Sequence, residues 1–142
     1  MKTFDDKMKA FLNENTWFLA TCNNDGPHIA PYGFKMVLAD GRMAIAQIFM
    51  TDGCKNILEN GKAEIAVVSA SGEAYRFNGT ASYISEGEEL ETVKEMVKTK
   101  SAAMAAANPN APQRERVVHG AVLFIPEEIT VISPGPANKQ KI

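Results

Sequence analysis

The sequence lacks the features that mark several specialised classes of protein. It has only two cysteines, Cys22 and Cys54, and 15 Lys and Arg balance 17 Asp and Glu. This balance offers no basic footprint for nucleic acid, and no apolar run reaches the ~18 residues that a membrane helix requires. No apolar stretch near the N-terminus suggests a signal peptide. These absences predict a cytoplasmic protein with no disulfide and with no nucleic-acid or membrane partner.

Common catalytic and cofactor motifs are also missing. The chain has no G-x-G-x-x-G loop, P-loop, G-x-S-x-G elbow or H-E-x-x-H motif. His28 and His119 have no ligand-type neighbours at zinc spacing, so we predict no metal site. Cys22 and His28 can be imagined as a nucleophile and base across a hairpin, but a cysteine at a strand end more often acts as a small hydrophobic residue. The residues alone therefore leave the catalytic group unknown.

What is present is the patterning of one folded domain. The 142 residues are 45% hydrophobic, which suffices for a single domain over residues 1–142. Apolar spacing and turn residues predict seven antiparallel strands, the first three in a meander, with helical crossovers. We expect a mainly β protein: a sheet of six to seven strands closed into a barrel, with two or three peripheral helices and a frayed C-terminal tail. Three helices are predicted: the first ends near residues 13–15, the second spans 51–61, and the third runs from a capping box at 85–88 to about 107. The predicted strands are 16–22, 28–38, 43–49, 63–70, 74–85, 116–125 and 128–133.

The start of the short helix is the first candidate binding site. A helix N-terminus offers unpaired N–H groups and partial positive charge to an anion. Thr51 adds a hydroxyl, Gly53 lets a ligand approach the backbone, and Lys55 can add a charge unless it faces solvent. Asp52, in contrast, repels an anion. By pattern alone, an ordinary helix cap that binds nothing is the better-supported interpretation.

The second candidate is the strand that Pro31 interrupts. Residues 30–35 bring small, aromatic and basic side chains together, and a planar ligand can lie against such a segment. Proline removes a hydrogen bond from a strand ladder, so an edge strand or a bulge explains the pattern without any ligand. From the pattern, that simpler explanation is favoured.

Taken together, these segments resemble the flavin-binding split barrels related to pyridoxamine 5′-phosphate oxidase. The resemblance rests on residues 18–21, 26–28, 31–34, 55–60, 64–68 and 75–81, which follow one another in the family's order. It covers residues 11–100 well and the last 40 by element order alone. It implies a split barrel that binds FMN at the interface of a homodimer.

The resemblance also implies which residues contact FMN. Two residues would border the flavin and ribityl chain: Pro31 and Tyr32. Four would face the ring edge: Gln47, Ile48, Phe49 and Met50. Four would lie at the phosphate: Thr51, Gly53, Lys55 and Asn56. The family often has Lys or Arg and Ser or Thr where this chain has Asp52 and Gly53. Lys55 or a basic residue of the partner chain would have to compensate.

The C-terminal sequence narrows the expected activity. Authentic pyridoxamine phosphate oxidases are longer and read the substrate phosphate with an Arg/His segment, which Arg114, Arg116 and His119 do not match. We therefore expect an FMN-dependent oxidoreductase or electron carrier, similar to short FMN-binding and nitroimidazole-resistance-type flavoproteins. Its partner would be a small-molecule electron donor or acceptor, with NAD(P)H as one candidate. The alternative is a non-enzymatic domain that binds haem, a deazaflavin or another small ligand on the same barrel.

Overall fold

The computed structural model describes residues 1–112 and 114–142. Within them the chain forms helices packed on an antiparallel sheet, so the mainly β prediction is confirmed. None of the described helices is both long enough and apolar enough to cross a membrane. The elements are α1 (Asp6–Glu14), β1 (Trp17–Asn23), β2 (Gly26–Tyr32), β3 (Lys35–Val37), β4 (Met43–Gln47), α2 (Asp52–Asn60), β5 (Lys62–Val68), β6 (Ala74–Ile84), α3 (Glu88–Ala107) and β7 (Gly120–Val131).

The strands form one curled sheet in the order β2-β1-β5-β6-β7-β4-β3. Its two edge strands, β2 and β3, are consecutive in the chain and are joined by residues 33–34 alone. Because so short a link must bring both edges together, the sheet curls into a half-barrel. The largest fully buried side chains, Trp17, Phe77 and Phe124, belong to one hydrophobic core cluster. This architecture is the split barrel that the resemblance implied.

The predicted antiparallel pairings of the first strands are confirmed for β1 with β2 and for β3 with β4, but the single middle strand that would make them a meander is wrong. The segment 28–38 is two strands, since the chain leaves β2 after Tyr32 and crosses to the opposite sheet edge. There β3 pairs with β4, and β4 pairs with β7. Pro31 lies on the edge strand β2, which among the described strands pairs only with β1. The other side of β2 has no partner among those strands, so a residue without an N–H group breaks no hydrogen-bond ladder on that side.

The two predicted C-terminal strands are one continuous strand, β7. Pro126 stays in the sheet because the pairing with β6 shifts register between Asn78 and Gly79, opposite the proline. Gly79 is required there, since a Cβ would lie 1.9 Å from the carbonyl oxygen of Ile125. The tail is also not frayed: Lys141 bridges to Thr130, and its ammonium group lies 2.7 Å from a carboxylate oxygen of Glu128.

Two of the helix boundaries follow from local chemistry. Asp5 caps α1 by accepting the N–H group of Met8 at 2.8 Å, and α2 ends at Gly61, whose φ of 68° is left-handed. The capping box predicted at 85–88 is wrong, because α3 begins after Gly87 with no side-chain cap. Acidic residues in its first turn interact favourably with the helix dipole instead.

Candidate binding cleft at the start of α2

A cleft of about 450 Å³ opens between the link from β2 to β3 and the chain from the end of β4 to the start of α2. Its volume and its largely apolar walls with a few polar groups are typical of small-molecule sites. The lining residues are Ala30, Pro31, Tyr32, Gly33, Phe34, Ala46, Gln47, Ile48, Phe49, Thr51, Cys54, Arg114, Glu115 and Arg116.

The end of β4 places Gln47 in one wall of the cleft. All of β4 is buried, and the side chain of Gln47 is 4% exposed. The hydroxyl of Tyr83 donates to Gln47 Oε1, and Gln47 Nε2 donates to the sulfur of Met50 at 3.4 Å. Tyr83 reaches this position because Gly120 has no side chain; a Cβ there would lie 2.1 Å from the phenol oxygen. The Gln47 amide is therefore held in a fixed orientation.

A pair of hydroxyl groups joins the cleft to the first turn of α2. The phenol oxygen of Tyr32 lies 3.0 Å from Thr51 Oγ1, which also accepts the N–H group of Cys54 at 3.2 Å. Burial raises the pKa of Tyr32 above its usual value, so the phenol is neutral at physiological pH. When Tyr32 donates to Thr51, the threonine proton is available to a ligand.

A smaller pocket of about 230 Å³ adjoins the cleft at Tyr32 and Thr51, in front of the α2 N-terminus. Its lining includes His28, Asp52 and Gly53. The N–H groups of Asp52 and Gly53 precede the first bond of the helix, in which Lys55 N–H donates to Thr51 C=O. They are therefore available to an anion. The exposed carboxylate of Asp52 opposes anion binding at the same pocket.

The structure brings most of the candidate FMN residues together. Six line the cleft and Gly53 lines the adjoining pocket; the six are Pro31, Tyr32, Gln47, Ile48, Phe49 and Thr51. Met50 is 44% exposed beside Gln47. Lys55 is exposed and lines neither space. Contact with FMN remains a prediction for each of these residues.

Asn56, the remaining candidate, is 3% exposed and its side chain is already used. Its Nδ2 donates to Thr21 Oγ1 at 3.0 Å, and its Oδ1 accepts from Asn23 Nδ2 at 3.1 Å. The side chain thus ties α2 to β1. It has no group directed at the pocket in front of the helix.

Cys22 and His28 are not brought together. In the pairing of β1 with β2, Thr21 stands opposite His28, whereas Cys22 stands opposite Pro27. Because neighbouring residues of a strand point to opposite faces, Cys22 and His28 lie on different sides of the sheet. Both cysteines are free thiols, and residues 1–112 and 114–142 contain no cluster of three metal-binding side chains.

Sequence reasoning missed two cations of the cleft, Arg114 and Arg116. Both follow α3 and reach the cleft from a distant part of the chain. The guanidinium carbon of Arg116 lies 5.2 Å from the centroid of the Phe34 ring, at cation–π distance. Neither arginine matches the family's C-terminal Arg/His segment, which is why both were missed. The sequence signal that could have indicated them is the presence of two arginines soon after the proline-rich end of the long helix.

The fold and the cleft define a split barrel with a small-molecule site, and comparison with known proteins identifies the family. The family model described as pyridoxamine 5′-phosphate oxidase matches residues 4–124, so the chain belongs to this family. An uncharacterized protein of Methanocaldococcus jannaschii is 32% identical over 139 residues, which cover 96% of this chain and 85% of that protein.

Two solved structures share the architecture. HupZ of Group A Streptococcus is 26% identical with a TM-score of 0.75, over 97% of this chain and 100% of that chain. An FMN-binding protein from Syntrophomonas wolfei subsp. wolfei is 17% identical with a TM-score of 0.70, over 92% of this chain and 87% of that chain. Together with the family match, these likenesses confirm the resemblance to the split-barrel family.

Proposed function

We propose that this protein binds FMN in the cleft and acts as a flavoprotein, either an oxidoreductase or an electron carrier. The observation that carries the proposal is the hydroxyl pair of Tyr32 and Thr51, which stands between an apolar cleft and a helix N-terminus. A ligand with a planar ring at one end and a phosphate at the other fits that combination. Family membership and the FMN-binding relative from S. wolfei support the same cofactor.

The ring end of FMN fits the chain between β4 and α2. Within the described ranges, residues 48–50 make no backbone–backbone hydrogen bond. Their N–H and C=O groups are therefore available to the mixed donors and acceptors of a flavin edge. Pro31 and Ile48 supply apolar wall beside them. These residues would orient the ring and exclude water from it.

The phosphate end fits the pocket in front of α2. Thr51 contributes a hydroxyl, and the N–H groups of Asp52 and Gly53 add donors under the favourable helix dipole. A Cβ on Gly53 would make ordinary van der Waals contact, at 3.5 Å, with the phenol oxygen of Tyr32. The Asp52 carboxylate weakens the site, and we expect modest FMN affinity for that reason.

FMN, when bound, supplies the transfer of one or two electrons. The protein then needs only to hold and surround the ring. We further propose that a second copy of the chain covers the cleft in a homodimer. Phe49 is 72% exposed at the cleft, and Ile29 is 69% exposed on the neighbouring edge strand. Large exposed apolar side chains beside a site are typical of a partner surface.

Titration of the purified protein with FMN tests the proposal. We expect saturable quenching of flavin fluorescence, absorbance bands at about 370 and 450 nm, and the mass of a dimer by light scattering. A protein that stays colourless and leaves added FMN fluorescent would contradict flavin binding. A Soret band after addition of haem, without FMN binding, would favour the non-enzymatic alternative. A monomeric mass with bound FMN would remove the dimer from the proposal.

A further inference from the structure

A groove of about 460 Å³ runs between α3 and residues 114–118. Helix α3 contributes Lys94, Lys98 and Ser101, and the following segment contributes Arg114 and Arg116. We refer to these five residues as the basic groove. Valine side chains from both elements form the rest of its walls, except for Glu115.

The charge of the basic groove is only partly compensated. Four cations stand against two carboxylates, Glu115 in the lining and Glu91 beside Lys94, in a chain of net charge −2. Lys94 pairs with Glu91 at 3.4 Å, whereas the other three cations form no ion pair with any described residue. Like charges held together repel one another, and an anionic ligand relieves that repulsion.

An unsatisfied polar atom lies in the same groove. The hydroxyl oxygen of Ser101 is buried, and no hydrogen-bond partner exists for it among the described residues. A buried hydroxyl without a partner costs free energy. The arginine and lysine side chains around it are the groups that bind phosphate oxygens.

The basic groove is continuous with the cleft. Arg114, Glu115 and Arg116 line both spaces, so one ligand can extend from one into the other. This anion site is separate from the one at the α2 N-terminus, to which we assign the phosphate of FMN. A substrate that spans both spaces would carry an aromatic reacting end and a remote end with more than one phosphate.

We propose that the basic groove binds the phosphates of a nucleotide-type electron donor, a dihydronicotinamide dinucleotide, whose nicotinamide end enters the cleft. This inference rests on the proposed function for the role of the cleft, but phosphate binding in the groove does not require FMN. The four cations match a diphosphate better than a single carboxylate. The groove would thus select the donor by its phosphates.

The kinetic test compares donors with and without phosphates on the FMN-loaded protein, with a quinone as electron acceptor. In the double variant Lys94→Ala/Lys98→Ala, whose two lysines line the groove but not the cleft, we expect the KM for NADPH to rise by about tenfold, with kcat little changed. The KM for 1-benzyl-1,4-dihydronicotinamide, which has no phosphate, should stay the same. Lys7→Ala, which removes an exposed lysine from α1, is the matched control. An equal change for both donors, or no change, would overturn the inference.

A second measurement separates this inference from the FMN proposal. Calorimetric titration of the FMN-free protein with ADP should show binding that the double variant weakens by about tenfold and Lys7→Ala leaves unchanged. If FMN fails to bind but ADP behaves in this way, the groove assignment stands and the proposed function fails. If FMN binds but ADP does not, or binds both proteins equally, the groove assignment is wrong.

Discussion

The phenol of Tyr32 and the hydroxyl of Thr51 lie 3.0 Å apart and join the edge strand β2 to the first turn of α2. One member of the pair lines the cleft wall, and the other caps the helix whose N-terminus faces the adjoining pocket. The pair therefore links the stability of a secondary-structure element to the geometry of the candidate cofactor site. Changes at either residue should affect both, and the two effects can be measured separately.

Removing the Thr51 hydroxyl should weaken FMN binding and also destabilise the fold. We expect Thr51→Ala to cost about 1–2 kcal/mol of FMN binding free energy through the lost hydrogen bond. It should also lower the free energy of unfolding by about 1 kcal/mol through the lost helix cap. Thr51→Ser keeps the hydroxyl and is the control, so it should retain most of both. Fluorescence titration and urea unfolding give the two values; FMN affinity equal to wild type in Thr51→Ala would remove the hydroxyl from the site.

Neutralising Asp52 should change affinity and stability in opposite directions. Asp52→Asn removes a negative charge beside the phosphate pocket, and we expect FMN to bind about two- to fivefold more tightly at low salt. The same change removes a favourable interaction with the helix dipole, so the free energy of unfolding should fall by about 0.3–1 kcal/mol. Glu59→Gln makes the same change in charge near the other end of α2 and should leave FMN affinity unaltered. Weaker FMN binding in Asp52→Asn would contradict the placement of the phosphate.

Lys35 should make the stability depend on pH. The residue is 3% exposed, and its ammonium group donates to the carbonyl oxygens of Leu12 and Asn13 at the end of α1. Burial, with a smaller contribution from the nearby Lys100, lowers its pKa from 10.5 to about 8. Between these two pH values the unfolded chain keeps the proton that the folded chain has released. The free energy of unfolding therefore rises with pH across this window, and the gain is lost as the pH falls toward 8.

The measurement for Lys35 is urea unfolding at two pH values. From about pH 7.5 to 9.5, wild type should gain about 2 kcal/mol relative to Lys35→Met, in which this group no longer titrates. Taking the difference between the two proteins cancels the titration of the other groups. An identical pH dependence in both proteins would show that Lys35 keeps an ordinary pKa.

Gly120 should tolerate no side chain. A Cβ there would lie 2.1 Å from the Tyr83 hydroxyl and 2.6 Å from the carbonyl oxygen of Ile84. We expect Gly120→Ala to lower the free energy of unfolding by about 1–3 kcal/mol and to disturb the Gln47 side chain that Tyr83 holds. Gly33→Ala, where nothing lies within 4 Å of the added carbon, is the matched control and should change stability far less. Equal urea midpoints for the two variants would contradict the close packing.

The sequence was enough to predict those parts of the fold that are determined by neighbouring residues in the chain. Thr51 and Gly61 mark both ends of α2 because a hydroxyl cap and a left-handed residue act within one helical turn. Contacts between distant segments carry no such signal. The crossing at residues 33–34, the register shift at Gly79 and the position of Arg114 and Arg116 beside the cleft depend on the whole sheet. Much of the candidate site could be predicted only because the family resemblance encodes that long-range arrangement.

The two edge strands that the 33–34 link joins, β2 and β3, also affect how copies of the chain can associate. An exposed strand edge recruits other strands and promotes aggregation, and proteins limit this with short edge strands or with proline. Here β3 has three residues, and Pro31 lies on β2. Neither edge can therefore template a continuous intermolecular sheet. We expect two copies to meet through side-chain surfaces, with association set by shape and apolar contact and without amyloid-like growth.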